Sequence, residues 1–108
     1  MFNVGKFYQA KKHFLFLFPS KETATRNGQV ALPADLAAAY ALPLAFAAQL
    51  SERSKSNVTF VTPNDIFILL EEDGKFLKVL APNGEMGWMK NPENEEWTKG
   101  CIEEVAQE

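Results

Sequence analysis

The chain has one cysteine, Cys101, and one histidine, His13, in 108 residues. A single thiol excludes the internal disulfide framework of a small secreted domain, and one thiol with one imidazole cannot supply the usual nitrogen and sulfur ligands of zinc. No metal and no cofactor is expected. A phosphate-cradling glycine loop and a dinucleotide fingerprint are also missing. His13 has no serine, cysteine or acid at a spacing that would build a catalytic triad, and Cys101 beside Ile102 reads as a small buried hydrophobe, so no enzyme activity is expected. Long apolar runs are missing too. The longest, Leu36 to Ala48, contains Pro43, follows Asp35 and falls well short of the ~20 residues that span a bilayer, so no membrane association is expected. His13 to Phe18 is too short for a signal-peptide core and runs straight into Pro19-Ser20-Lys21. The protein is therefore expected to be soluble and cytoplasmic.

What is present fits one globular domain over residues 1–108. Hydrophobic residues make up 46% and charged residues 23%, which excludes wholesale disorder. The net charge of −3 argues against a nucleic-acid surface covering the whole protein. That charge is unevenly spread. Residues 1–30 hold Lys6, Lys11, Lys12, Lys21 and Arg26 against Glu22, whereas residues 61–108 hold four lysines against eleven acids. The two ends are opposite in sign, a pattern that suits self-complementarity within or between copies.

The fold is most legible from Phe60 to Val105. Asp65 to Glu71 is rich in β-branched and aromatic residues, with Phe67 and Leu69 on one face and Ile66, Ile68 and Leu70 on the other. A strand apolar on both faces predicts cover on both. Glu72-Asp73-Gly74 supplies a turn, Phe76 to Leu80 a second strand, and Asn83-Gly84 a hairpin into Met86-Gly87-Trp88-Met89. Pro92 then suits the start of one tight helical turn within Lys90 to Thr98, and Cys101 to Val105 a last short strand.

In these residues, LLEEDGKFLKVLAPNGEMGW is similar to the second half of a bacterial-type Src-homology-3 domain. The shared pattern is a strand ending in an acidic turn, an aromatic-x-Lys-Val strand, an Asn-Gly turn, then Gly-Trp and a terminal strand. It covers roughly the last third of the chain, and Gly87-Trp88 after Asn83-Gly84 is its most specific piece. The resemblance implies a mainly β fold, a small SH3-like or Sm-like, partly open barrel of five to six strands.

Upstream, Val4 to Ala10 is expected to form a first strand that pairs with the C-terminal one, and His13 to Phe18 a second, stopped by Pro19-Ser20. Lys21 to Gln29 is a polar connector with room for one helical turn ending at Asn27-Gly28. The alanine-rich segment that follows departs from the family. It is expected to insert helix within residues 31–56, one helix over 34–41 and another over 43–54, broken or kinked at Pro43. The second would bury Leu44, Ala47, Ala48 and Leu50 against an open end of the barrel. Val58 to Val61 is a further strand.

The candidate binding residues are Tyr8, Phe76, Trp88, Pro92 and Trp97. The resemblance places Phe76 at the usual tryptophan position of a peptide groove, with Pro92 near the turn after the hairpin and Tyr8 near the first strand. The alternative for Phe76 and Trp88 is to fill the barrel or cover its edge. Trp97, among Glu93, Glu95 and Glu96, is either an interface anchor or a plug of the barrel end. Glu71, Glu72 and Asp73 read as a solvated turn. The expected function is a non-catalytic interaction module that binds a protein partner or self-associates. The alternative is an Sm-like RNA-binding ring protein, for which Lys6, Lys11 and Lys12 beside Phe7, Tyr8 and Phe14 would make a charge-and-stacking strip. Lysines protecting a strand edge explain that strip equally well.

Overall fold

A computed structural model describes residues 2–27, 31–33 and 41–105, except the side chain of Trp97. The strands are β1 Phe7–Ala10, β2 His13–Leu17, β3 Ala31–Pro33, β4 Thr59–Val61, β5 Ile66–Glu72, β6 Phe76–Leu80, β7 Met86–Lys90 and β8 Ile102–Glu104. The helices are α1 Lys21–Asn27 and α2 Ala41–Ser54, and two single 3-10 turns, Pro92–Asn94 and Glu96–Thr98, lie between β7 and β8. The described chain is mainly β. Its strands form two antiparallel sheets in the orders β7-β6-β5-β1-β8 and β3-β2-β4, without closing into a barrel. This corrects the expected five to six strands to eight.

The larger sheet grows out of local turn chemistry. At the β5–β6 turn the Asp73 carboxylate accepts from the amides of Lys75 (3.0 Å) and Phe76 (2.7 Å), fixing the reversal. At the β6–β7 hairpin the Asn83 side chain accepts from the Glu85 amide at 3.0 Å while Gly84 adopts φ +89°, the left-handed conformation glycine reaches without a Cβ clash. β8 then returns to β1, pairing Ala10 with Ile102 and Gln9 with Glu103, as the sequence suggested. The long strand β5 departs from expectation. Phe67 and Leu69 are buried at 2% and 1% exposure, but Ile66 on the opposite face is 44% exposed. Only one face of the sheet is fully covered.

Between β1 and β5 the chain builds a second layer that is not purely helical. β2 lies in the centre of the smaller sheet, and all five of its residues are buried. Its far end crosses to the larger sheet, where Phe18 and Trp88 exchange amide-to-carbonyl hydrogen bonds of 2.8 and 2.7 Å. Gly87 makes this seam possible. A Cβ built there would lie 2.6 Å from Leu17 Cβ, closer than real Cβ atoms approach. Two apolar cores result. One includes Tyr8, Leu15, Leu17, Phe67, Leu77 and Val79 beneath the larger sheet. The other gathers Phe14, Phe16, Phe18, Leu50 and Phe76 under the helices.

The helices correct three further expectations. α1 runs two turns rather than one, because Ser20 Oγ accepts from the Thr23 amide at 3.1 Å as an N-cap and Ala24 is fully buried. Pro43 does not break α2. It sits in the first turn, where a missing N–H leaves no intrahelical bond unmade. The buried face of α2 is Pro43, Ala47 and Leu50, with half-buried Phe46 stacked 5.2 Å from Phe16, while Leu44 is 58% exposed. The spacing of 43, 46/47 and 50 follows one face of a helix; Leu44 and Ala48 lie off it. α2 therefore covers the smaller sheet, not an open barrel end. Most of the expected first helix, residues 34–40, lies outside the described residues.

Candidate functional site

A cleft of ≈ 390 Å³ opens where α1, the start of β6, the end of β7 and the first 3-10 turn meet. Phe76, 9% exposed, forms an apolar part of its lining, and Thr25, Lys75, Lys90, Asn91, Asn94 and Glu95 complete it. The side is built by hydrogen bonds that tie the 3-10 turn to the β5–β6 turn. Asn91 and Asn94 are three residues apart, the repeat of a 3-10 helix, so their side chains share one side. Both amides donate to the Gly74 carbonyl, at 3.3 and 2.9 Å. Asn91 also caps the turn, its side-chain oxygen accepting from the Glu93 amide at 3.0 Å. Below it the buried Thr98 hydroxyl donates to the Pro92 carbonyl at 2.8 Å, joining the two 3-10 turns.

α1 is fixed to this region by one cation. Lys21 Nζ lies 2.8 Å from the Asp73 carboxylate and 4.9 Å from the centre of the Trp88 ring. The hydrogen bond from Lys21 holds the Asp73 carboxyl below its ordinary pKa, aided by the amides of Phe76 and Lys75 and opposed by partial desolvation. Lys78 approaches the same indole at 5.7 Å, so two ammonium groups lie within cation–π range of Trp88. The cleft itself offers the Phe76 ring, the Lys75 and Lys90 ammonium groups, the Glu95 carboxylate and the Asn91 and Asn94 amides. It contains no nucleophile–base pair among its lining residues.

The candidate residues are only partly brought together. Phe76 lines the cleft; Trp88 does not, but is half-buried and packed on the second core that Phe76 also joins. Pro92 is almost wholly buried, so it shapes the 3-10 turn without presenting a surface. Tyr8 belongs to the other core at 3% exposure, and its hydroxyl accepts from the Asn3 amide at 2.6 Å. The Trp97 side chain lies outside the described residues. Lys6 and Lys12 are exposed and Lys11 half-buried, but of the aromatics between and beside them Tyr8 and Phe14 are buried and only Phe7 is exposed. Sequence reasoning missed Thr25, Lys75, Lys90, Asn91, Asn94 and Glu95. The pair of asparagines astride Pro92 was the available signal, since an Asn before Pro caps a turn that an Asn three residues on then lines.

Other chemistry is poorly supplied. Burial, with the nearby Glu93 charge, pushes the Cys101 thiol up to about 12, so it is protonated at neutral pH and unreactive. No group of three metal-ligating side chains occurs among the described residues, and no described helix is long and apolar enough to cross a membrane. No family model matches the chain, and no curated protein or solved structure matches it either.

Proposed function

We propose that this chain is a non-catalytic interaction module whose cleft at Phe76 receives a short segment of a protein partner. The carrying observation is the cleft itself, an aromatic ring set among polar side chains on a turn braced by five hydrogen bonds. Its volume falls in the range of about 300–1,000 Å³ typical of binding clefts, and a braced wall reduces the ordering cost of capture. The location matters as well. Phe76 is the residue that the resemblance to a Src-homology-3 domain puts in a peptide groove, and a cleft opens there. The strand order β7-β6-β5-β1-β8, with 3-10 turns before the returning strand, is compatible with an SH3-like arrangement. The RNA-ring reading has less support, because Tyr8 and Phe14 are buried away from the lysines that would accompany them.

Thr25 and Asn94 are exposed on the cleft, so Thr25→Arg and Asn94→Arg should block it without unfolding the chain. Panning a displayed library of short peptides is expected to enrich binders that lose capture in both variants and keep it in Met86→Lys, at the opposite end of β7 from the cleft-lining Lys90. Binders indifferent to the two arginines, or no enrichment at all, would remove the cleft from consideration.

A further inference from the structure

We infer that the segment received by the cleft at Phe76 is acidic: a small apolar side chain on the ring, flanked by Asp or Glu carboxylates that reach Lys75 and Lys90. This rests on the reading of the cleft as a peptide site and adds the chemistry of its ligand. The register sets one cation beside the ring. Phe76 of β6 pairs directly with Lys90 of β7, and directly opposite residues of an antiparallel pair share a face with Cβ atoms about 4.5–5.5 Å apart. Lys75 adjoins Phe76 in the chain and lines the same cleft. Lys90 is half-buried and Lys75 exposed. Their aliphatic stems widen the apolar floor around a ring that is itself 9% exposed, while the ammonium groups stay in water.

The two cations are uncommitted. Among the described residues the ion pairs are Lys21 with Asp73 and Arg26 with Glu22. Neither Lys75 nor Lys90 has an acidic partner there, although Glu95 lines the same cleft. Lys78, two residues along β6 on the Phe76 face, adds to the positive field from its place 5.7 Å from the Trp88 ring. The Asp73 carboxylate on the neighbouring turn is already matched by Lys21 at 2.8 Å. The lining thus carries two cations against one carboxylate in a chain whose net charge is −3. A ligand that brings carboxylates complements it, and one that brings cations is repelled. Exposed Asn94 spends one N–H on the Gly74 carbonyl, which leaves its second N–H and its oxygen for the backbone of an extended ligand. A nucleic acid fits less well. The net charge repels a polyanion, and a ring 9% exposed leaves little face for a base to stack on.

Panning a displayed library of random peptides against the full chain at low ionic strength, and sequencing the binders, tests this. Cleft dependence is scored with Thr25→Trp and Asn94→Trp, which fill the space without adding charge. Cleft-dependent binders are expected to carry Asp or Glu on both sides of an apolar residue. For synthetic peptides from that set, Lys75→Glu and Lys90→Glu should each weaken binding about tenfold or more by fluorescence anisotropy, since each removes an attraction and adds a repulsion. Lys6→Glu, which makes the same change in net charge outside the cleft, should leave binding within about twofold. Panned afresh, Lys90→Glu should select basic peptides in place of acidic ones, a gain that an unfolded variant would not show. Neutral or basic cleft-dependent binders would overturn the inference and leave the cleft reading standing. Acidic binders indifferent to Lys75→Glu and Lys90→Glu, or displaced by an equal concentration of a single-stranded oligonucleotide, would also overturn it. No cleft-dependent binder at all would remove the reading and the inference together.

Discussion

Replacing Gly87 with alanine probes the seam where the end of β2 meets β7 of the larger sheet. The new Cβ would lie 2.6 Å from Leu17 Cβ and 3.3 Å from the Phe18 carbonyl oxygen. Leu17 Cβ is fixed to its backbone, so no side-chain rotation relieves the contact, and β2 must move away from β7. Overpacking of this kind costs about 1–3 kcal/mol. The same movement stretches the two Phe18–Trp88 hydrogen bonds of 2.8 and 2.7 Å, worth about 1 kcal/mol each if lost. Against this, alanine in a strand recovers about 0.5–1 kcal/mol of backbone entropy relative to glycine. The balance is a loss of about 2–3 kcal/mol, or roughly 8–15 °C in Tm for a domain of this size.

Urea titration followed by tryptophan fluorescence and by far-ultraviolet circular dichroism measures this loss. Met86→Ala, on an open face of the same strand, is the reference and should stay within about 0.5 kcal/mol of the parent. If Gly87→Ala is as stable as Met86→Ala, then β2 and β7 are not in the close contact described, and the argument for the seam fails.

Phe16→Ala should cost about 3–5 kcal/mol by chemical denaturation, since the ring is 1% exposed and packs on Phe46 and Phe60 at 5.2 and 5.5 Å. A cost near that of a surface change would contradict the second core. Asp73 has a carboxyl pKa lowered in the folded state, so it stabilises the fold above the unfolded value of about 4 and ceases to do so as pH falls through the folded one. Asp73→Asn should flatten the acid limb of the stability–pH profile in that window, and an unchanged limb would show that the Lys21 pair contributes nothing. Thr98→Val keeps the shape but removes the hydroxyl bonded to Pro92, leaving a destabilisation of about 1–2 kcal/mol readable as a shift in urea midpoint. Cys101, protonated and 1% exposed, should resist a thiol reagent in buffer and react fully in denaturant; fast labelling of the native chain would refute its burial.

Much of the larger sheet was legible because its reversals are encoded within a few residues. Asp73-Gly74, Asn83-Gly84 and Asn91-Pro92 each carry their own turn chemistry, so β5, β6, β7 and the 3-10 turn fall where the local sequence places them. The pairing of β1 with β8 was also foreseeable as a way for a small sheet to bring its ends together. Burial was harder to read, because it depends on contacts between distant residues. Nothing near Tyr8 or Pro92 in sequence says that each is enclosed, and the alternation in Ile66 to Leu70 cannot say which face stays open. Likewise Leu44 and Leu50 are chemically alike, yet only Leu50 lies on the side of α2 that meets Phe16 and its neighbours. The sequence by itself determined the strands and turns of the larger sheet, consequences of local backbone chemistry, but not β3 (Ala31–Pro33), which lies where an inserted helical segment was expected. Only the tertiary structure decided where β2 crosses to Gly87 and that α1 meets Phe76 to open a cleft, because each requires chain segments far apart in sequence to be packed together.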